Sequence, residues 1–357
     1  MYRAAVVGAG GYAGIEVARI LSRHPGFELV AAASDSLEGQ ELSSVYPALT
    51  GMTDLAFCKS DPEEISKLAD VVFLAVPHTA AMACAPQYLE AGVAVIDLSA
   101  DYRIHDKDVY EKWYGVEHTS PELLGRAVYG QPETHRDALL ALGSRWDRDD
   151  ASTTPLVACA GCYPTATILA TAPALEAGYD LDGYVCVTAL SGVSGAGKKA
   201  NARTHFCHAH ESAQAYSAGC HRHTPEIEQE LSEAAGHKVS LAFTPVLVPM
   251  KRGLLSMANL RVGDGVEFDQ ILATYEERYA GEGFVHFLGT EMPQTASVVG
   301  GNHAHVGLAF AEETRTLIAS GAIDNLDKGA ATQAVQCANM VFGYAEDAGL
   351  DFANPVV

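Results

Sequence analysis

The glycine-rich run Gly8-Ala9-Gly10-Gly11-Tyr12-Ala13-Gly14 constrains this chain more than any other segment. It follows an apolar run, Ala4 to Val7, and opens a stretch with helical spacing, Tyr12 to Ser22, that stops at His24-Pro25-Gly26. Strand, glycine turn and helix in that order begin a parallel α/β sheet. Glycines permit the tight turn and the close approach of a pyrophosphate, and the helix N-terminus offers N–H groups and the positive end of a dipole. Ala13 stands where the third glycine of G-x-G-x-x-G belongs, so Gly8, Gly11 and Gly14 give a G-x-x-G-x-x-G spacing instead. Further apolar runs lie at Leu29 to Ala33, Val71 to Val76, Val93 to Ile96 and Leu156 to Cys159, with helical stretches between them. Such runs read as buried parallel strands joined by right-handed crossovers, which predicts an α/β fold with a Rossmann-type doubly wound parallel sheet. The ribose reader belongs just after the second run, at Ala33-Ser34-Asp35-Ser36. Asp35 argues for NAD, while Ser34 and Ser36 suit the extra phosphate of NADP.

Beyond Cys162 the pattern changes. Tyr184 to Leu190, Val239 to Val248, Leu254 to Val262 and Val306 to Ala311 are strand-like, and Val306 to Ser320 reads as a hairpin around Glu312-Glu313-Thr314. Helical stretches are fewer, at Thr224 to Ala235 and Phe268 to Tyr279, so an α+β domain with a mixed sheet is expected. The tail from Leu326 to Tyr344 is again helical, with Ala331, Ala334, Val335, Ala338 and Phe342 on one stripe. A chain of 357 residues accommodates two domains.

Charge and composition narrow the function. The 45 acidic against 23 basic residues, a net charge of −22, exclude a nucleic-acid binder. Apolar stretches reach about seven residues, far short of the ~20 of a membrane span, and the N-terminus lacks the apolar core of a signal peptide. Eight scattered cysteines form no disulfide framework, and a reducing cytoplasm suits them.

Gly161-Cys162-Tyr163-Pro164-Thr165 follows the fifth apolar run. With Pro164 at the first helical position, Cys162 lies just before a helix N-terminus, a place that lowers a thiol pKa. Moving a thiol from about 8.5 to about 6.5 takes about 2.7 kcal/mol, and a helix end supplies about 0.3–1 kcal/mol. A second group is therefore needed, and histidine is the candidate. His221-Arg222-His223-Thr224-Pro225-Glu226 presents two histidines at the start of a helix that Thr224 can cap. A zinc set drawn from Cys159, Cys162, Cys207, His208, Cys220 and His223 is the rival reading, of a zinc-dependent hydrolase. It contains one C-x-x-C pair, Cys159 to Cys162, which is open to a redox reading as well, and its spacing to the histidines matches no finger. No metal is expected. An anionic ligand also needs local positive charge. Between Ser191 and Gly253 seven basic residues stand against five acidic ones, and Arg103, in Asp97-Leu98-Ser99-Ala100-Asp101-Tyr102-Arg103 after the fourth run, is a candidate phosphate clamp. The loop Ser191-Gly192-Val193-Ser194-Gly195-Ala196-Gly197-Lys198 has Walker spacing, but Lys199 occupies the Mg²⁺-binding Ser/Thr position.

With these motifs, and with Asp324-Asn325-Leu326 and Lys328-Gly329-Ala330 near the end, the chain resembles the N-acetyl-gamma-glutamyl-phosphate reductase family, within the aspartate-semialdehyde dehydrogenase-like superfamily, over nearly its whole length. The resemblance implies a Rossmann domain of residues 1–160 completed by 326–357, with an inserted catalytic and oligomerisation domain of residues 161–325. It implies NADP-dependent reduction of N-acetyl-L-glutamyl 5-phosphate to the 5-semialdehyde and phosphate through a cysteine thioester, the third step of arginine biosynthesis. Aspartate-semialdehyde dehydrogenase and aminoadipate-pathway acyl-phosphate reductase are the alternatives. By resemblance Cys162 is the nucleophile and His221 the acid/base. Gly8, Gly10, Gly11, Tyr12, Ala13, Gly14, Ser34, Ser36, Pro77, His78, Ser194, Gly195 and Asn325 bind the cofactor, and Arg103, Ser191, His223 and Glu226 bind the substrate. A cytoplasmic homodimer or homotetramer that takes a small acyl phosphate, with no nucleic-acid or membrane partner, is implied. Three residues depart from the family pattern. Asp35 stands where an arginine is common, which keeps NAD open, Ala160 stands where proline is usual, and Cys159 stands where a cysteine is rare.

Overall fold

The five apolar runs of the N-terminal part become parallel strands in the computed structural model, which describes residues 1–350. Among the described residues two units are distinguished, Met1–Gly161 with residues 330–350, and Cys162–Gly329. In the first unit the strands are β1 (Tyr2–Val7), β2 (Phe27–Ala33), β3 (Val71–Leu74), β4 (Ala94–Asp97), β5 (Val128–Gly130) and β6 (Leu156–Cys159). Their order is β2-β1-β3-β4-β6-β5, and every pair is parallel. β5 is the strand the sequence pattern does not show, since three residues at a sheet edge are too few to carry a period. β1 lies between β2 and β3, so the strand order reverses beside it, which makes its C-terminal end the topological switch point where such sheets bind ligands.

Along β1 the side chains alternate between two cores. Ala5 and Val7 pack with Tyr88, Tyr102 and Tyr110 on one face. The other face is covered by the helices Tyr12–Leu21, Pro132–Arg145 and Ala331–Val341. The last of these is buried along all eleven residues. It begins at Ala331 rather than at Leu326, because Asp324 folds the preceding segment into turns. Its Oδ1 accepts the N–H groups of Leu326 (2.8 Å) and Asp327 (3.2 Å), and its carbonyl accepts that of Gly329 at 2.8 Å.

The second unit is the expected α+β arrangement with a mixed sheet. Its strands are β7 (Asp180–Gly192), β8 (Gln214–Ala215), β9 (Ser240–Val248), β10 (Leu254–Val262), β11 (Val285–Phe287), β12 (Ala304–Ala311) and β13 (Thr316–Ile323), in the order β11-β12-β13-β10-β7-β9-β8. β11 with β12 and β7 with β9 are parallel, and the other pairs are antiparallel. The β12–β13 hairpin turns through Glu312–Thr314 as the sequence predicts, and Arg315 closes it in the left-handed region. The helix Cys162–Glu176 lies on β10 and β13. Gly321 allows this close approach, since a Cβ there would run into the Ala166 carbonyl. Tyr275 donates to the Ala170 carbonyl at 2.7 Å, and Thr167 meets Ser256 at 2.8 Å, so the polar groups of this packing surface are satisfied. Among the described residues no helix is long and apolar enough to cross a membrane.

Candidate active site

The glycine loop leaves β1 through Gly8, whose φ of +86° and whose proximity to the Ala75 carbonyl exclude any side chain. Gly14 packs against the Gly8 carbonyl and lets the helix Tyr12–Leu21 lie close to the strand. Gly10 faces Ser34, whose Oγ would lie 2.6 Å from an added Cβ. Gly11 is different. It occupies the N-cap position with φ −88°, and an added Cβ there would touch only the Gly8 carbonyl oxygen, at 3.5 Å. Nothing in the protein requires glycine at this position. A bare N-cap with no capping side chain leaves the first turn, at Tyr12 and Ala13, to an anion, and this cradle fits a dinucleotide pyrophosphate.

The other first-unit candidates follow the C-terminal ends of neighbouring strands. Ser34 and Ser36 come after β2 and flank Asp35, whose Oδ1 accepts the Ser60 N–H at 2.8 Å. Pro77 and His78 come after β3, and the His78 ring meets Tyr114 edge-on at 6.0 Å. After β4, Asp101 binds the N–H groups of Thr79 (2.7 Å) and Met82 (3.1 Å) and the Tyr110 hydroxyl (2.8 Å). Burial, reinforced by the charge of Asp101, pushes the Asp97 carboxyl up to about 7. Arg103 lies in this network, 4% exposed, and donates to the Leu98 carbonyl at 2.8 Å.

In the second unit Cys162 is itself the first residue of the helix Cys162–Glu176, and Pro164 is the third, not the first. The position is tolerated because no N–H of the first turn has an intrahelical acceptor. The half-buried thiol is flanked by Gly329, where an added Cβ would lie 2.7 Å from the Cys162 Cβ. Asn325, in the same segment, accepts the Gly253 N–H at 2.8 Å and donates to Ser194 Oγ at 3.0 Å. Ser191, 2% exposed, lies 3.0 Å from where a Gly195 Cβ would be. The structure thus gathers Ser191, Ser194, Gly195 and Asn325 into one loop assembly. Arg252 does not join the positive field expected of this segment. Its guanidinium is held by the buried Asp324 (2.9 Å) and Asp327 (2.6 Å).

His221 sits in a box of rings: Tyr163 at 5.5 Å, Tyr216 at 5.5 Å, Phe243 at 5.3 Å and His223 at 5.0 Å, all edge-on. Its Nδ1 accepts the His223 N–H at 3.2 Å, so the neutral ring carries its proton on Nε2. His223, not Thr224, takes the N-cap position of the helix Thr224–Ala235, and the Thr224 N–H bonds back to the His221 carbonyl at 2.9 Å. Glu226, 1% exposed, lies in the first turn of that helix. The Tyr163 and Tyr216 hydroxyls meet at 3.1 Å. Burial raises the pKa of both, Tyr216 up to about 12, and a Cys162 thiolate raises them further. His221 and Tyr216 line a cavity of about 280 Å³ together with Arg203. Tyr216 carries no sequence signal of a site, since it follows a two-residue strand in an irregular segment, and Arg203 is marked in the sequence only as one of the seven basic residues between Ser191 and Gly253. Among the described residues Cys159, Cys162, Cys207, His208, Cys220 and His223 do not assemble as a metal-ligand group.

Comparison with known proteins places the chain in a family. Residues 3–142 match the family model for the semialdehyde dehydrogenase NAD-binding domain, and residues 162–325 match that for the semialdehyde dehydrogenase dimerisation domain. N-acetyl-gamma-glutamyl-phosphate reductase of Moorella thermoacetica is 44% identical and covers 98% of both chains. The enzyme of the same name from Syntrophobacter fumaroxidans is 45% identical and covers 99% of both. Among solved structures, the aspartate semialdehyde dehydrogenase of Candida albicans with NADP has the same fold, with a TM-score of 0.69, 17% identity, and coverage of 98% of this chain and 99% of that one. The chain therefore belongs to the N-acetyl-gamma-glutamyl-phosphate reductase family and is a nicotinamide-dependent oxidoreductase.

Proposed function

We propose that this chain reduces N-acetyl-L-glutamyl 5-phosphate to N-acetyl-L-glutamate 5-semialdehyde, with release of phosphate, in arginine biosynthesis. The observation that carries this reading is the half-buried Cys162 thiol at the head of a fifteen-residue helix, with His221 packed on the ring of the next residue, Tyr163. The Cys162 thiolate attacks the acyl carbon, the bond from that carbon to the phosphate oxygen breaks, and a thioester remains. Reduction at the same carbon followed by cleavage of the C–S bond releases the aldehyde and restores the thiolate. Covalent catalysis divides one difficult step into two easier ones. Gly8, Gly10, Gly11, Tyr12, Ala13 and Gly14, with Ser34, Ser36, Pro77, His78, Ser194, Gly195 and Asn325, hold the cofactor, and a bound nicotinamide dinucleotide supplies the hydride.

His221 is the acid–base residue. In its neutral form Nε2–H donates a hydrogen bond to the acyl oxygen as negative charge develops there. To accept the thiol proton the ring adopts the other tautomer and loses the His223 N–H contact, a cost of about 1 kcal/mol. One ring can therefore serve both roles, and the proton passes to the departing phosphate oxygen. Arg103, Ser191, His223 and Glu226 bind the substrate. The preferred cofactor is NADP. Asp35, the residue that argues for NAD, has its carboxylate engaged by the Ser60 backbone, and Ser34 and Ser36 flank it.

The enzyme works as a homodimer or homotetramer in the cytoplasm. The outward side of the second-unit sheet carries exposed Tyr184 and Cys186 and half-exposed Leu190, Leu255, Met257 and Ile318, a face that a second copy would cover. Among the described residues all eight cysteines are outside disulfides, as a reducing compartment requires. The test is phosphate-dependent reduction of NADP and of NAD with N-acetyl-L-glutamate 5-semialdehyde. Turnover that needs phosphate and runs faster with NADP is expected. Turnover without phosphate, or a preference for aspartate semialdehyde, overturns the reading.

A further inference from the structure

We infer that Arg203 recognises the carboxylate of the substrate. The inference rests on the proposed reduction of an acyl phosphate whose α-carboxylate takes no part in the chemistry and stays negative throughout. A protein with 45 acidic and 23 basic residues must supply a local cation to hold such a group. Arg203 lines the cavity of about 280 Å³ that also contains His221 and Tyr216. Among the described residues it has no carboxylate at ion-pair distance. In the same unit Arg252, Arg261, Arg278 and Arg315 each have one.

The arginine is also positioned. Asn201 Oδ1 accepts the N–H groups of Arg203 (3.0 Å) and Thr204 (3.2 Å), while Thr204 Oγ1 accepts the Asn201 N–H at 3.3 Å. This reciprocal box fixes the turn that carries Arg203. Farther out, the guanidinium lies over the Tyr216 ring, 5.4 Å from its centroid, and its charge pulls the Tyr216 hydroxyl down against the upward push of burial. The same hydroxyl meets Tyr163, which follows Cys162 in the chain. A guanidinium over a ring still has forked N–H donors to offer, the donor set that matches a carboxylate. From the nucleophile outward, the order is Cys162, Tyr163, Tyr216, Arg203. The reacting acyl group and the carboxylate of a glutamyl chain are likewise at opposite ends of the molecule.

The experiment compares N-acetyl-L-glutamate 5-semialdehyde with 4-acetamidobutanal, which is the same aldehyde without the carboxylate, in the wild type, Arg203→Ala and Arg203→Lys. The expected result is a rise in KM for the carboxylated aldehyde of about 10- to 100-fold in Arg203→Ala, the loss of one charged hydrogen-bonded pair. The preference of the wild type for the carboxylated substrate, as a ratio of kcat/KM values, then collapses, and Arg203→Lys recovers part of it. Added salt should raise the wild-type KM for the carboxylated substrate more than that of Arg203→Ala. A preference ratio that survives in Arg203→Ala overturns the inference and leaves the reductase reading standing. A wild type that turns over neither aldehyde overturns both. Thermal melting of Arg203→Ala separates a binding effect from a fold effect, and a lowered melting temperature together with equal losses on both aldehydes counts against the inference.

Discussion

Replacing the sulfur of Cys162 by oxygen keeps the size of the side chain and removes its nucleophilicity. Cys162→Ser is therefore expected to abolish turnover and to leave dinucleotide binding, measured by calorimetry, close to wild type, because the glycine cradle belongs to the other unit. Substantial residual activity would rule out the thioester. His221→Asn should lower kcat by about 10²–10⁴, the range for a positioned acid or base, whereas His223→Asn should act mainly on KM, and steady-state kinetics that reverse the two effects would reassign the roles. The glycines offer a sharper contrast. Gly14→Ala drives a methyl into the Gly8 carbonyl and should destabilise the protein by about 1–3 kcal/mol. Gly11→Ala meets only the Gly8 oxygen at 3.5 Å, so it should melt like wild type and bind dinucleotide more weakly. Equal melting temperatures for the two variants would show that the fold does not need Gly14. At this scale the sequence is most legible where the backbone demands one residue type, as at Gly8 and Gly14. Tyr216 is invisible in it, and Arg203 is legible only as one of seven basic residues in its segment, because what folding sets beside each of them is not written locally.

Elements were legible in proportion to their length and regularity. The helices Thr224–Ala235 and Phe268–Tyr279 follow the boundaries that their apolar spacing predicts, and so does β9, to within one residue. Short edge strands such as β5 and β8 are fixed by their neighbours rather than by their own composition. The tail reads as a helix from Leu326 because nothing local announces that the Asp324 carboxylate, itself bound by Arg252, will hold the next residues in turns. A pH dependence belongs to this scale too. His286 on β11 pairs with His305 on β12, and His286 Nε2 meets His303 Nδ1 at 2.9 Å. Burial first, and then the charge of His286, lower the pKa values of His303 and His305, and Lys328 adds to the effect on His303. The folded state therefore refuses protons that the unfolded chain accepts near pH 6.5. This contribution to stability is whole above that pH and is lost as the pH falls through it and below. Between pH 7.5 and 5.5 the melting temperature of the wild type should fall more than that of His303→Asn, and equal falls would remove this trio from the account.

On the scale of the molecule, the first unit is discontinuous. Its sheet is covered in part by the helix Ala331–Val341, which is buried throughout, touches the helices Tyr12–Leu21 and Pro132–Arg145, and is locked by Asn339 to the carbonyls of Glu346 (3.1 Å) and Ala348 (2.9 Å). Among the described residues the second unit, Cys162–Gly329, is one uninterrupted stretch of chain. On a ribosome these two facts set an order of events. The nascent N-terminal segment emerges first, yet it must wait for the 168 residues of Cys162–Gly329 before its missing helix arrives. At about 5–20 residues per second that wait is on the order of ten seconds or more. Meanwhile apolar strand faces stay uncovered, and the second unit, later to appear, is the earlier to finish. A chain halted after Gly329 should accordingly show a protease-resistant core within Cys162–Gly329 and rapid cleavage within Met1–Gly161. Resistance of both segments to brief proteolysis would show that the N-terminal sheet closes without its last helix. If the order holds, the proposed nucleophile Cys162 is in place before the proposed cofactor cradle, and translation of the segment that carries the helix Ala331–Val341 is the step that completes the latter.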